Sequence, residues 1–299
     1  MHLTPLPREL PVWRSILFVP AVSERFVDSA LRQPADVLQI DLEDSVGPSH
    51  KDEARARVGA IADRFAAAGR DAIVRVNRPW RMLVRDLEAS VRATVCAVSL
   101  PKVPDGSFVR AVAEVLAELE HERGLPDGHT GIITMIEDAE GLSRIDEIAA
   151  AHGRVVGQIV GAEDLAASMH MAVDDDALYV PCVSNVRAAR RAGILPLGFV
   201  GSVADYRDAD AFRARIVRAR RLGFEGTFCI HPSQVPIVNA GFAPDPAEVA
   251  RARALVEAFE RESAAGRAAF AFEGRMVDLP VVAQARTLLA RQRAIDAKA

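Results

Sequence analysis

Residues 131–164 read GIITMIEDAEGLSRIDEIAAAHGRVVGQIVGAED. The apolar run 131–137 is followed by a stretch of helical character and then by a second apolar run, 155–164. Strand, helix and strand in this order form a parallel βαβ unit, because parallel neighbours need a long crossover. Each run is read as ending on a carboxylate, Glu137 on the first and Asp164 on the second. An apolar strand that ends in a charge delivers it to a water-filled mouth. Two adjacent strands doing so set two hard oxygen ligands side by side, a donor set suited to Mg²⁺ or Mn²⁺.

Working outward, the same alternation fills most of the chain. Strand-like runs occupy 15–20, 37–44, 72–77, 97–102, 131–137, 155–164, 195–200 and 226–232. Helical patterns are clearest at 49–68, 107–123, 142–151, 183–192 and 209–222. Asp105-Gly-Ser and Asp205-Tyr-Arg-Asp precede two of them as caps. Eight strands with helices between them predict an α/β fold, a (β/α)8 TIM barrel. A doubly wound open sheet is the competitor, but no Gly-x-Gly-x-x-Gly follows the first strand. The barrel is expected over residues 1–240. Residues 241–299 should form a C-terminal helical extension of helix, hairpin (270–278) and final helix. It reads as too short to own a core, and so as an arm on the barrel or on a neighbouring subunit.

Bulk properties narrow the partners. Of the 299 residues 50% are hydrophobic, enough for a large core without disulfides or structural metals. A net charge of −4 argues against nucleic acid or an anionic membrane. No apolar run approaches the roughly 20 residues that span a bilayer. The start lacks a basic segment followed by an apolar one, so no signal peptide is expected. Cys96, Cys182 and Cys229 are far apart and read as reduced thiols of a cytoplasmic protein.

Barrel active sites lie at strand C-termini. Reading those ends gives Pro20, then Asp41, Glu43 and Asp44, then Arg75 and Asn77, then Lys102, Glu137 and Asp138, Glu163 and Asp164, and His231. Glu137 and Asp164 are the candidate metal ligands, although helices follow both and a capping role is open; Asp138 and Glu163 could cap instead. Arg75 beside a divalent ion could stabilise a carbonyl oxygen that gains negative charge. It could also serve as a structural partner of Asp41 or Glu43. Those two face one side of their strand and are expected to orient Arg75 or a metal-bound water. His231 could bind substrate in the mouth or be purely structural. Lys102 could be a Schiff-base nucleophile, a role made redundant by a metal site.

Several segments together resemble the citrate lyase β-subunit branch of the HpcH/HpaI aldolase superfamily. They are Arg14-Ser-Ile-Leu-Phe-Val-Pro, Gln39-Ile-Asp-Leu-Glu-Asp-Ser-Val with Lys51-Asp-Glu-Ala-Arg, and Val74-Arg-Val-Asn. Leu100-Pro-Lys-Val, Ile136-Glu, Gly161-Ala-Glu-Asp-Leu, Gly223-Phe-Glu-Gly, Ile230-His-Pro-Ser-Gln and Gly274-Arg-Met-Val-Asp-Leu-Pro-Val-Val continue the match in order. The resemblance implies a TIM barrel assembled as homotrimers or dimers of trimers. It implies cleavage or formation of C–C bonds in β-hydroxyacyl thioesters such as malyl-, citramalyl- or citryl-CoA. It further implies that Glu137 and Asp164 bind Mg²⁺, that Arg75 contacts substrate, and that Phe18 and Arg25 help hold CoA. Asp278 then matches an aspartate that reaches a neighbouring subunit's site as acid/base; by itself it reads as a turn or cap. Ser29, Thr227 and Gly198 depart from residues common in that branch, and bear on the acyl carrier and substrate more than on the chemistry.

The reaction implied is a retro-Claisen cleavage. The metal chelates the hydroxy- or keto-acid portion, Arg75 meets the enolate oxygen, and Asp278 moves the proton at carbon. A metal-dependent aldolase on free keto acids, a malyl-CoA-type thioesterase and a non-catalytic subunit are the rivals.

Overall fold

A computed structural model describes residues 10–267 and 269–298. The chain divides into two compact units, Met1–Phe242 and Ala243–Ala299.

In the first unit the strands are β1 (Ser15–Pro20), β2 (Val37–Asp41), β3 (Asp71–Arg75), β4 (Ala97–Leu100), β5 (Gly131–Ile136), β6 (Val155–Val160), β7 (Leu195–Pro196) and β8 (Thr227–Cys229). The helices are α1 (Glu24–Leu31), α2 (Lys51–Ala67), α3 (Trp80–Ser90), α4 (Gly106–Glu122), α5 (Ala139–Ser143), α6 (Ile145–Ala149), α7 (Ala162–Met169), α8 (Asp175–Ala192), α9 (Ala209–Leu222) and α10 (Gln234–Phe242). Strand order is β7-β6-β5-β4-β3-β2-β1-β8, all pairs parallel. A bridge between Leu197 and Gly226 joins the two end strands. Two flanking bonds reinforce it, Gly198 N–H to Gly226 O at 2.8 Å and Glu225 N–H to Pro196 O at 3.0 Å. The expected (β/α)8 barrel is therefore present and closed. Gly226 sits so near Trp13 that an added Cβ would lie 1.9 Å from its carbonyl oxygen, and only glycine fits the seam.

Two apolar layers follow from strand alternation. Ile16, Val37, Ile73, Ala97, Ile133, Met135, Ile159, Leu197 and Phe228 fill the barrel interior. Trp13 closes the end where the strands begin, its indole N–H donating to Asp71 at 2.8 Å. The outward residues, such as Leu38, Ile40, Val74, Val98 and Ile132, pack against the helices with Val58, Leu87, Leu116 and Ile216. This burial of long aliphatic side chains is the main stabilising term of the unit.

Several boundaries differ from the sequence reading. The strands stop earlier than the apolar runs suggest, and the residues beyond them enter loops. The largest correction concerns Asp164: β6 ends at Val160, Gly161 caps α7, and Glu163 and Asp164 lie in the first helical turn. The helix expected at 142–151 is two short ones, α5 and α6, and α8 begins at Asp175 and runs through Pro181. Asp105 caps α4 by accepting from Phe108 N–H, and Asp208 caps α9.

The second unit holds α11 (Pro246–Ala264), the antiparallel pair β9 (Phe270–Phe272) and β10 (Arg275–Val277), and α12 (Leu279–Lys298). The expectation that this segment lacks a core is overturned. Ala252, Leu255 and Phe259 of α11 pack with Val277, Val282 and Ala285, because both helices present an apolar stripe to each other. Among the described residues no helix is long and apolar enough to cross a membrane.

Candidate active site

The C-terminal ends of β1, β2, β3, β5, β6 and β8, with the loop after β7, line a cavity of about 450 Å³. Its polar side carries Asp41, Asp44, Arg75, Glu137, Glu163 and Asp164. Its apolar side is formed by Phe18, Met135, Ile159, Phe199, Phe228 and Ile230. The two carboxylates and the arginine singled out from sequence thus face one space.

Arg75 closes β3 and is almost fully buried at 9% exposure. Its Nε and Nη2 donate to the two oxygens of Asp41 at 2.7 and 2.8 Å, a bidentate fork. Nη1 pairs with Glu43 at 2.7 Å and Asp44 at 3.4 Å. The Phe18 ring lies 4.6 Å below the guanidinium. Asp41 also accepts from the N–H groups of Glu43 and Ser45 at 3.0 and 3.1 Å. Burial works to raise the Asp41 pKa, but the Arg75 guanidinium outweighs it and holds the carboxyl below its ordinary value. Burial likewise opposes the Arg75 charge, and its three acidic neighbours raise its pKa nonetheless. The structural ion pair and the orientation of Arg75 by Asp41 and Glu43 are one geometry. The loop is pinned from behind by Lys51 Nζ, which donates to the carbonyls of Leu42 and Glu43 at 2.7 Å each.

Glu137 follows β5 directly and is 4% exposed. Its Oε2 accepts from the N–H of Lys102 at 2.8 Å. Burial first, and then the negative charge of Glu43, push its pKa up to about 7; the Asp164 charge adds to this against the pull of the Lys102 N–H and ammonium. Asp164 is half-buried, and its Oδ1 lies 3.7 Å from Lys102 Nζ. Lys102 Nζ also donates to Glu43 at 3.1 Å. Burial works against the Lys102 ammonium, but Glu43, Glu137 and Asp164 raise its pKa, which suits a fixed cation and not a Schiff-base nucleophile. Glu163 accepts from Ser202 Oγ and ties α7 to the loop after β7.

Asp41, Glu43, Asp44, Glu137, Glu163 and Asp164 outnumber the cations beside them, Arg75 and Lys102. An excess of carboxylates, with oxygen donors only, fits a hard divalent cation. Glu137 is the firmest sign of it, since a buried carboxylate with no full counter-charge is costly.

Other predicted residues fall elsewhere. Arg25 and His231 border a second cavity of about 290 Å³, which shares Phe18, Pro20 and Ile230 with the first. His231 Nδ1 meets Ser233 Oγ at 2.7 Å, and its ring stacks on Tyr206 at 4.7 Å. Asp278 lies in the second unit, where its Oδ1 accepts from Val281 N–H at 3.4 Å at the start of α12, as a cap does. The Lys102 contacts were missed from sequence; its position after Pro101, at a strand end among carboxylate-bearing ends, was the available signal.

The family model described as HpcH/HpaI aldolase/citrate lyase matches residues 14–232. The chain is 35% identical to citrate lyase subunit beta of Escherichia coli (strain K12) over 284 residues, 93% of this chain and 92% of that protein. It is 32% identical to L-malyl-CoA/beta-methylmalyl-CoA lyase of Rhodobacter capsulatus, covering 90% of each. The crystal structure of CitE from Mycobacterium tuberculosis in complex with magnesium, acetoacetate and coenzyme A is similar at 32% identity and a TM-score of 0.71, covering 93% of this chain and 97% of that one. By its barrel, its strand-end residues and these matches, the chain belongs to the HpcH/HpaI aldolase/citrate lyase family.

Proposed function

We propose that this chain is a Mg²⁺-dependent carbon–carbon lyase that cleaves or forms a β-hydroxyacyl-CoA thioester of the malyl or citramalyl type, with an acyl-CoA and a 2-keto acid as the other side of the reaction. The carrying observation is the buried Glu137, which shares one cavity with Asp164 and the clamped Arg75. CitE bound to magnesium, acetoacetate and coenzyme A, and a malyl-CoA lyase at 32% identity, support the same reading.

Glu137 and Asp164 hold the ion, with Mn²⁺ an acceptable substitute. When bound, the ion supplies Lewis-acid polarisation of the acid's oxygens. Arg75, fixed by Asp41 and Glu43, presents its guanidinium to the thioester oxygen, where negative charge develops as the C–C bond breaks. No reorganisation is needed at that moment, because the fork to Asp41 is already made. The apolar wall of Phe18, Met135, Ile159 and Phe228 excludes water from the enolate carbon. Phe18 and Arg25 hold the CoA portion, and His231 lies along the same second cavity. Asp278 of an adjacent copy in a homotrimer, or a dimer of trimers, transfers the proton at carbon. Cys96, Cys182 and Cys229 form no disulfide among the described residues, which suits a cytoplasmic protein.

Malyl-, citramalyl- and β-methylmalyl-CoA, incubated with the protein and Mg²⁺, should give acyl-CoA and keto acid by mass spectrometry. Glu137→Ala and Asp164→Ala should each lower turnover by about 10³-fold with an unchanged circular dichroism spectrum. Wild-type turnover in either variant refutes the ligand pair, and release of free CoA with an intact hydroxy acid identifies a thioesterase instead.

A further inference from the structure

Lys102 is held on every side. It is one of three non-glycine residues with positive φ among the described residues, at 49°. An L side chain rarely adopts that conformation, and where it persists the surroundings enforce it. Here its N–H donates to Glu137 Oε2 at 2.8 Å, and its carbonyl accepts from Arg78 Nε at 3.1 Å. The following residue, Val103, donates from its N–H to Met135 O at 3.2 Å. From this turn the side chain reaches Glu43 at 3.1 Å and Asp164 at 3.7 Å. Glu43 in turn holds Arg75 at 2.7 Å.

We propose that Lys102 is a positioning residue: its left-handed main chain aims the Glu137 carboxylate, and its ammonium ties Asp164 to the Glu43–Arg75 clamp. The inference rests on the lyase reading above and deepens it. Two consequences oppose each other. The ammonium is a like charge beside a divalent ion and weakens its binding. It also keeps Glu43, and through it Arg75, in the orientation that meets the developing charge.

Lys102→Met removes the charge and keeps most of the stem. Calorimetry should show Mg²⁺ bound about fivefold more tightly, because a like charge has left. The kcat should fall between about 10- and 100-fold, the cost of a misplaced guanidinium. Lys102→Arg should recover a large part of kcat. Lys102→Gly suits the positive φ and keeps the N–H on Glu137, so its Tm should equal or exceed that of the wild type while its kcat falls as in Lys102→Met. A purely structural residue would lower Tm and kcat together in both variants, with no rescue by arginine, and that result overturns the proposal. So does a Lys102→Met protein with unchanged kcat and Mg²⁺ affinity. A wild-type protein that binds no Mg²⁺ overturns the metal reading and this one together; unchanged Lys102→Met values in a protein that does bind it overturn this one alone.

Discussion

In the lyase reading, Glu137 is the residue on which metal and proton compete. Its pKa of about 7 in the folded chain lies above the ordinary 4.5, so the metal-free fold favours the protonated form. That contribution to stability is complete below the unfolded value and is lost as pH rises through about 7. A bound cation reverses the preference, because it needs the ionised carboxylate. The rise in Tm caused by saturating Mg²⁺ should therefore be larger at about pH 8 than at about pH 5.5. Calorimetry between those values, in buffers of different ionisation enthalpy, should show proton release on Mg²⁺ binding. Equal Tm shifts at both values, with no proton released, would remove Glu137 from the ligand set.

At the scale of elements, the site depends on how closely α7 starts against the end of β5. Gly161 caps α7, and its N–H donates to Ile136 O at 2.9 Å. A Cβ there would lie 2.6 Å from Glu137 Cγ and 2.7 Å from its Oε1. Gly161 has φ −82°, which alanine tolerates, so Gly161→Ala should leave the fold standing and displace the carboxylate. Mg²⁺ affinity should drop at least tenfold, about 1.4 kcal/mol, with little change in Tm; unaltered affinity would mean that the ion does not sit where Glu137 points. The strands were legible because β-branched apolar runs alternate with helical patterns, and β1 matches its run throughout. Strand ends were not, because Gly161 and Ala162 read as a continued apolar run although they begin a helix. Thus Asp164 shares a cavity with Glu137 and Arg75, as expected, but from the first turn of α7 and not from a strand end. The pairing of Arg75 with Asp41 was legible, because the two stand opposite each other at neighbouring strand ends; Glu43 lies in the loop beyond β2, where period-two alternation no longer applies. The Lys102 contacts require a φ and a side-chain path that no spacing encodes.

For the molecule as a whole, the barrel and the 243–299 unit each own an apolar core. The lyase reading assigns Asp278, at the hairpin–helix junction of the second unit, to the site of another copy. Arg75→Ala and Asp278→Ala proteins, each inactive alone, should therefore recover part of the activity when mixed into one assembly. Verified mixed assemblies without activity would remove Asp278 from the reaction. Within the barrel, Phe18 borders both cavities, edge-on to Phe228 at 5.1 Å and beneath Arg75. Its ring is a party wall between two rooms. Any replacement reshapes the chamber facing Arg75 and the chamber facing Arg25 at once, so in the lyase reading the grip on the two halves of a substrate cannot be retuned independently at this position.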